Sequence, residues 1–148
     1  MVVFRISLET YVGLSSSGAD NRWNKAKEYV IYSGGSRSLS TLELVAHREH
    51  VKTKKTYKLM VLYFPDDPNL IMEIQIKDLP PDWRNRSAYS ILQEIGSKWY
   101  ILKSSLVLKV PSAIIPQEFN YIINTDHPLF SLVKHIDTED FFWDNRLI

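Results

Sequence analysis

Glu43 and His47 are a carboxylate and an imidazole placed where they could work together. Serines near residues 36–40 offer N-cap oxygens, and Leu39 begins an apolar pattern at helical spacing, which predicts a helix there. Residues four apart share one face of a helix, so both side chains could enter one pocket. The segment Ser40-Thr41-Leu42-Glu43 also fits a capping box, in which Glu43 would only bind a backbone amide. For His47, a position at the surface or at the edge of the core is favoured over entry into that pocket.

Other classes of site are excluded by residue type. The chain has no cysteine, so it has neither a disulfide framework nor a cysteine nucleophile. The histidines do not form a ligand motif, and we expect no metal; they are His47, His50, His127 and His135. Neither a G-x-G-x-x-G nor a G-x-x-x-x-G-K motif is present. A bound nucleotide would therefore have to be held by side chains.

The longest informative pattern lies between Leu106 and Phe130. An apolar run there ends in Val110-Pro111-Ser112, and it is followed by Pro116, Glu118-Phe119-Asn120-Tyr121, Asn124 and His127-Pro128. Together with Arg22-Trp23-Asn24 and Leu42-Glu43 upstream, this pattern resembles the RES family, which is named after an arginine, a glutamate and a serine. The three family residues fall on Arg22, Glu43 and Ser112.

The resemblance covers nearly the whole chain, from Phe4-Arg5-Ile6 to residues 142–147. Further family-like points occur in the expected order, at Asp78-Leu79-Pro80, Trp83-Arg84, Gln93, Gly96 and Trp99. One departure is Asp20-Asn21, which stands before Arg22 where the family commonly has small residues, often glycines. We therefore expect one RES domain over residues 1–148, with an α+β fold similar to that of ADP-ribosyltransferases. It should have mixed, mainly antiparallel sheets and a few helices.

The resemblance implies cleavage of the bond between nicotinamide and ribose in NAD⁺. Such a site must stabilise an oxocarbenium-like ribose and admit a nucleophile to its far face. In the roles implied by the family, Glu43 hydrogen-bonds a ribose hydroxyl beside the developing cation. Arg22 binds phosphate oxygens, which its planar fork matches bidentately. Ser112 holds a phosphate or the incoming nucleophile, and Tyr32 stacks on or hydrogen-bonds the nicotinamide ribose.

Three weaker binding candidates are Arg5, Asn120 and His47. The structural alternatives are strand-end pairing for Arg5, turn formation for Asn120 and a surface or core-edge position for His47. Phosphorolysis, hydrolysis and transfer of ADP-ribose to a protein remain open, as does a degenerate member that only binds a partner. NAD⁺ would be a substrate, with inorganic phosphate as an optional co-substrate and no resident cofactor. The family implies a toxin held inactive by an Xre-type helix-turn-helix antitoxin.

The elements expected to position these residues are predicted from periodicity. Strands are expected at Phe4 to Leu8, Tyr29 to Tyr32, Tyr57 to Phe64, Leu70 to Ile76 and Leu106 to Val110, and shorter ones at Ile122 to Ile123, Leu132 to Ile136 and Phe141 to Leu147. The third and fourth should form a hairpin around Pro65-Asp66-Asp67-Pro68. Gly13 to Ala26 should be a long surface loop that carries Arg22, and Ser87 to Ile101 a helix with Trp99 in the core.

Charge and hydropathy limit the partners. A net charge of +1 is too balanced for affinity based on phosphate neutralisation, so direct binding to nucleic acid is not expected. The basic cluster of Arg48, Lys52, Lys54 and Lys55 is typical of a solvated turn between two elements, and the alternative is docking of a partner. No apolar run approaches the ~20 residues that span a bilayer. We therefore expect a cytoplasmic protein that does not enter membranes.

Overall fold

A seven-stranded mixed sheet runs through the centre of the computed structural model, which describes residues 1–47, 51 and 54–147. Its strands are β1 (Val2–Leu8), β2 (Val30–Gly34), β3 (Tyr57–Tyr63), β4 (Ile71–Glu73), β5 (Val107–Pro111), β6 (Phe119–Asn124) and β7 (Lys134–Asp140). Their spatial order is β4-β5-β6-β2-β1-β3-β7. Every neighbouring pair is antiparallel except β4 and β5. This confirms the predicted α+β fold with a mainly antiparallel sheet.

The central strands are buried on both faces, as their apolar runs require. Adjacent residues of a strand point to opposite faces, and in β6 Ile122 and Ile123 belong to two different hydrophobic clusters. The cluster on the Ile123 side includes Met60, Leu62 and Phe64. The cluster on the Ile122 side packs the sheet against a helix and a loop, and contains Trp23, Trp83, Leu92, Trp99, Leu108 and Val110.

In the part of the chain that the structure describes, two α-helices flank the sheet: α1 (Arg37–Ala46) and α2 (Tyr89–Leu102). Helix α1 follows β2 directly, and its start lies so close to that strand that a Cβ on Gly34 would be 2.5 Å from the Ser40 hydroxyl oxygen. Helix α2 buries Leu92 and Trp99, which confirms the predicted apolar stripe and the core position of Trp99. Neither helix in the described part of the chain has the length and hydropathy to cross a membrane.

The predicted hairpin between the third and fourth strands is wrong. Strand β4 covers only three residues and pairs in parallel with β5, at the opposite side of the sheet from β3. A parallel pair needs a long crossover connection, and the segment with α2 supplies it between β4 and β5. The predicted alternation also fails, since Met72 and Ile76 are exposed while Ile74 alone of the three is buried. Residues 76–78 form a 3₁₀ turn.

The end of the chain also differs from the prediction. The last strand begins at Lys134 and ends at Asp140, and the part of the tail described after it, residues 141–147, contains no strand. Phe141 and Trp143 pack edge to face there, with ring centroids 5.2 Å apart, and both also contact Tyr57. In the basic cluster, Lys54 and Lys55 are exposed in a turn, as predicted, whereas Arg48 and Lys52 lie outside the described residues, as does His50.

Candidate active site

Glu43 is fixed by two neutral donors from strand ends. Its Oε1 accepts hydrogen bonds from the Ser112 hydroxyl at 2.8 Å and from the Asn120 amide at 2.6 Å. Both donors use the same oxygen, and among the described residues no donor reaches Oε2. The carboxylate is therefore held in one orientation by one oxygen, while the other keeps its lone pairs for a ligand.

Ser112 lies behind Glu43 and has no exposed surface. Its backbone N–H continues the β5–β6 pairing by binding the carbonyl of Glu118 at 2.9 Å. Its hydroxyl oxygen accepts from the backbone N–H groups of Ile114 and Ile115, at 3.0 and 3.1 Å. Serine commonly closes a turn in this way. Because its proton is directed to Glu43, this geometry favours positioning of the carboxylate over contact with phosphate or a nucleophile.

Glu43 lines a cavity of about 250 Å³ together with Phe4, Arg5, Ile6, Asn21, Tyr32, Ser33, Gly34, Ser40, Leu44, His47 and Asn120. A smaller recess of about 40 Å³ shares Asn21, Tyr32, Glu43, His47 and Asn120 with this cavity and adds Arg22, Trp23, Pro111 and Ala113. The two spaces therefore meet along Glu43. Of the seven predicted site residues, all but Ser112 line one or both of them.

The capping-box alternative for Glu43 is wrong. The N-cap of α1 is Ser36, whose hydroxyl accepts from the Leu39 N–H at 3.0 Å. Glu43 lies a full turn further into the helix, and its carboxylate points to Ser112 and Asn120. The Ser40 hydroxyl instead donates to carbonyl oxygens of Phe4 and Ser36, which ties the helix to β1. Glu43 thus has no helix-capping function.

Arg22 lies at the tip of a four-residue turn closed by backbone hydrogen bonds between Asn21 and Asn24. Its Nη1 donates to the carbonyl oxygens of Trp83 and Arg84, at 2.9 and 3.2 Å. The guanidinium also stacks on Tyr89, with its carbon 4.8 Å from the ring centroid. A planar cation held on one edge by carbonyls can still present its other N–H groups to an anion.

The loop that carries Arg22 is anchored on α2. Trp23 is 2% exposed in the core beneath that helix, and a Cβ on Gly96 would lie 1.7 Å from the Trp23 carbonyl oxygen. Only glycine permits this approach of loop and helix. Gln93, one turn earlier on α2, donates to the carbonyl of Asn21 at 2.9 Å. The family-like Gln93 and Gly96 are therefore explained as supports of the Arg22 turn.

The hydroxyl of Tyr32 forms hydrogen bonds with the loop that carries Arg22. The hydroxyl donates to Asn24 Oδ1 at 2.6 Å and accepts from the Trp23 N–H at 3.1 Å. Burial raises the pKa of Tyr32, so the phenol stays protonated at neutral pH. Tyr32 lines both spaces, which is compatible with the predicted stacking on a ribose, whereas its hydroxyl is already engaged within the protein.

Arg5 and His47 both line the larger cavity. The Arg5 Nη1 donates to the carbonyl of Ser15 at 3.2 Å, and desolvation lowers the pKa of its guanidinium, which nevertheless stays charged. His47 is exposed, and its Nδ1 lies 2.8 Å from the Glu43 carbonyl oxygen. Since a carbonyl only accepts, Nδ1 carries the proton, and in the neutral ring Nε2 is the acceptor.

Two polar residues of the site, Asn21 and Asn24, were not predicted as site residues from the sequence. Asn21 lines both spaces, and its Oδ1 accepts from the Arg22 N–H at 2.8 Å. Asn24 is 1% exposed and joins the loop to Tyr32. Both lie within two residues of Arg22 in the sequence, and Asn24 also belongs to the family-like Arg22-Trp23-Asn24 segment, which was the available signal. Among the described residues, no group of three or more histidine or acidic side chains could hold a metal ion.

Comparison with known proteins places these residues in a family. The sequence model of the RES domain family matches residues 3–144 of this chain. A protein named Toxin Res from Yersinia enterocolitica is 31% identical over 99% of this chain and 96% of its own length, and another Toxin Res, from Pseudomonas putida, is 32% identical over 99% of both. A Sphingobium protein named Prs ADP-ribosylating toxin is 30% identical over 91% of this chain and 86% of its own length.

The fold is also similar to a solved structure. A chain of the Mycobacterium tuberculosis MbcT-MbcA toxin-antitoxin complex superposes with a TM-score of 0.78, at 16% sequence identity, over 95% of this chain and 84% of that one. With the family model and the full-length relatives, the α+β fold and the Arg22, Glu43 and Ser112 pattern lead to one conclusion: the chain belongs to the RES domain family.

Proposed function

We propose that this protein is a toxin of a toxin-antitoxin pair that degrades NAD⁺ by cleaving its nicotinamide-ribose bond. The observation that carries the proposal is the Glu43 carboxylate, fixed on Oε1 and open on Oε2, in a cavity that also contains arginine. A preorganised carboxylate stabilises positive charge that develops on a ribose. The names of the full-length relatives support the toxin assignment.

In the reaction, the bond between the ribose carbon and the nicotinamide nitrogen breaks, and its electron pair goes to the nitrogen. The positively charged ring thereby leaves as neutral nicotinamide. Glu43 Oε2 accepts a hydrogen bond from a ribose hydroxyl and places its charge beside the oxocarbenium-like carbon. An oxygen of phosphate or water then bonds to that carbon, and in hydrolysis the water releases a proton.

The arginines are suited to the phosphate groups of the reaction. Arg22 presents the N–H groups that Trp83 and Arg84 do not use. Arg5 lines the larger cavity and donates to a backbone carbonyl rather than to a carboxylate, so its charge remains available to an anion. Arginine binds phosphate oxygens in pairs. Arg22 is proposed to hold the pyrophosphate of NAD⁺. If inorganic phosphate is the co-substrate, Arg5 is proposed to bind it.

The direct test is to incubate the purified protein with NAD⁺ in buffers with and without inorganic phosphate and to identify the products. Nicotinamide with ADP-ribose 1″-phosphate would identify phosphorolysis, and nicotinamide with ADP-ribose would identify hydrolysis. Glu43→Gln is the matched control, since it keeps size and hydrogen-bonding capacity without the charge. Intact NAD⁺ in every arm would reject the proposal.

Transfer of ADP-ribose to a protein is the second candidate. The specific observation that favours it is the Sphingobium relative, whose name describes an ADP-ribosylating toxin. The two activities differ in whether a protein side chain or a small nucleophile reaches the ribose carbon. Incubation with labelled NAD⁺ and a cell extract distinguishes them, because only the transferase leaves label covalently attached to protein.

An antitoxin is the proposed partner, and the solved neighbour comes from a toxin-antitoxin complex. We propose an Xre-type helix-turn-helix protein, which would supply the DNA contacts that a chain of net charge +1 is not built to make. A carboxylate of the partner, inserted beside Arg22, would imitate the NAD⁺ pyrophosphate. NAD⁺ and antitoxin should then compete, and Arg22→Ala should weaken binding of both. A complex that turns over NAD⁺ at the rate of the free toxin would contradict this mode of neutralisation.

A further inference from the structure

A buried amide holds together the loop that carries Arg22. The Nδ2 group of Asn24 donates to the carbonyl oxygens of Ala19, Lys25 and Glu28, at 2.9, 3.0 and 3.3 Å. Its Oδ1 accepts the Tyr32 hydroxyl. The amide therefore ties the segment before the Arg22 turn to the segment after it.

The Tyr32 hydroxyl is the second half of this connection. It donates its only proton to Asn24 and accepts the N–H of Trp23, the residue that directly follows Arg22. Since β2 is a central strand of the sheet, Tyr32 provides a rigid reference point for the turn. A hydroxyl and an amide thus connect the backbone around Arg22 to the sheet.

We infer that Asn24 and the Tyr32 hydroxyl are positioning groups that act on the reaction through Arg22. The inference rests on the proposed function, because it concerns how the pyrophosphate-binding arginine is held. The Tyr32 hydroxyl has no proton left for NAD⁺, although Tyr32 lines the cavity. Replacement of this residue by phenylalanine therefore removes the connection to the loop and keeps the ring surface that a ribose would contact.

The hydrogen bonds of the Tyr32 hydroxyl can be removed without unfolding the loop, because other contacts anchor the Arg22 turn. Trp23 is buried in the core, Gly96 admits the loop backbone against α2, and Gln93 donates to Asn21. Loss of the Tyr32 hydroxyl should leave the loop on the protein while Arg22 moves more freely. A purely structural tyrosine would instead lower stability without a specific effect on substrate affinity.

The first arm of the test needs no catalysis. Amide hydrogen exchange at Trp23 is measured for the wild type, for Tyr32→Phe and for Tyr63→Phe, which removes the hydroxyl of an exposed tyrosine on β3. Exchange at Trp23 should become faster in Tyr32→Phe alone, because its N–H loses its acceptor. If exchange at Trp23 were unchanged in Tyr32→Phe, the claim that the Tyr32 hydroxyl holds the Arg22 turn would be rejected, whether or not the protein consumes NAD⁺.

The second arm is a double-mutant cycle on NAD⁺ consumption with Tyr32→Phe and Arg22→Ala. Tyr32→Phe alone should lower kcat/KM about tenfold, as expected for one to two ordinary hydrogen bonds, mainly through a higher KM. In the Arg22→Ala background the same change should cost less than about twofold, because the group it positions is gone. An equal loss in both backgrounds would show that the hydroxyl acts independently of Arg22. A wild type that leaves NAD⁺ intact would reject the proposed function, and the exchange arm would still decide the connection.

Discussion

Glu43 and Arg22 line the same recess, but they are held by different kinds of structure. Glu43 projects from α1, and its two partners stand at β6 and directly after β5, so that regular elements fix it from both ends. Arg22 stands on a loop and is held by carbonyls of another loop and by the connection through Asn24 and Tyr32. We therefore expect the position of the Glu43 carboxylate to be fixed by the sheet and the helix. The position of the Arg22 guanidinium depends instead on several contacts between loops.

The largest effect is expected for Glu43→Gln, which removes the charge and keeps the shape. Loss of a positioned carboxylate of this kind typically lowers the rate by ~10²–10⁴, or roughly 3–5 kcal/mol of barrier. The free energy of unfolding should hardly change. Ser112 and Asn120 are neutral donors, and the amide oxygen of glutamine can accept their hydrogen bonds as the carboxylate does. Single-turnover kinetics on NAD⁺ and a thermal melt measure the two quantities. A variant that unfolds readily but keeps near-normal turnover per folded molecule would make Glu43 a structural residue.

Arg22→Ala should have the second-largest effect and a different kinetic signature. Loss of charge-assisted hydrogen bonds to phosphate typically costs ~1.5–3 kcal/mol, which corresponds to roughly 10- to 100-fold in kcat/KM. The loss should appear mainly in KM, because the pyrophosphate is bound in both ground and transition states. Arg37→Gln is a suitable control, since that arginine is exposed and pairs with Glu139 on β7. Equal losses in the two variants would point to a general effect of charge.

Ser112→Ala should combine a smaller kinetic effect with a loss of stability. The change removes one of two donors to Glu43, for which we expect about tenfold lower kcat at unchanged KM. It also leaves the N–H groups of Ile114 and Ile115 without their acceptor, which should destabilise the fold by about 1–3 kcal/mol. Chemical denaturation and steady-state kinetics test the two parts. If kcat falls as far as it does in Glu43→Gln, Ser112 itself contacts the reactants.

The same contrast explains how much of the site the sequence could predict. Glu43 lies on a helix with a clear N-terminal serine signal and Ser112 at the end of an apolar strand, so their elements followed from local patterns. The roles of Asn21 and Asn24 could not be predicted in this way, because they depend on how a turn without periodicity folds onto Tyr32. Such loop geometry is set by long-range contacts, here with Trp83, Gln93 and Gly96, which no local pattern encodes.

The wrong hairpin has a similar physical cause. Pro65-Asp66-Asp67-Pro68 is typical of a turn, and two apolar segments around a short turn favour antiparallel pairing. In the structure Pro68 begins a 3₁₀ turn, and the chain then pairs with β5 through the α2 crossover. Strand β4 is so short that its own pattern carries little information about its partner. The family resemblance gave the order of site residues but did not assign this pairing.

The central claim, that a Glu43-dependent reaction on NAD⁺ makes this chain toxic, is tested most directly in cells. The wild type and Glu43→Gln are expressed to equal levels without an antitoxin, and cellular NAD⁺ and growth are followed together. We predict that NAD⁺ falls before growth stops in the wild type and that both remain normal with Glu43→Gln. Unchanged NAD⁺ and growth under wild-type expression, or an arrest that Glu43→Gln reproduces with NAD⁺ intact, would contradict the account.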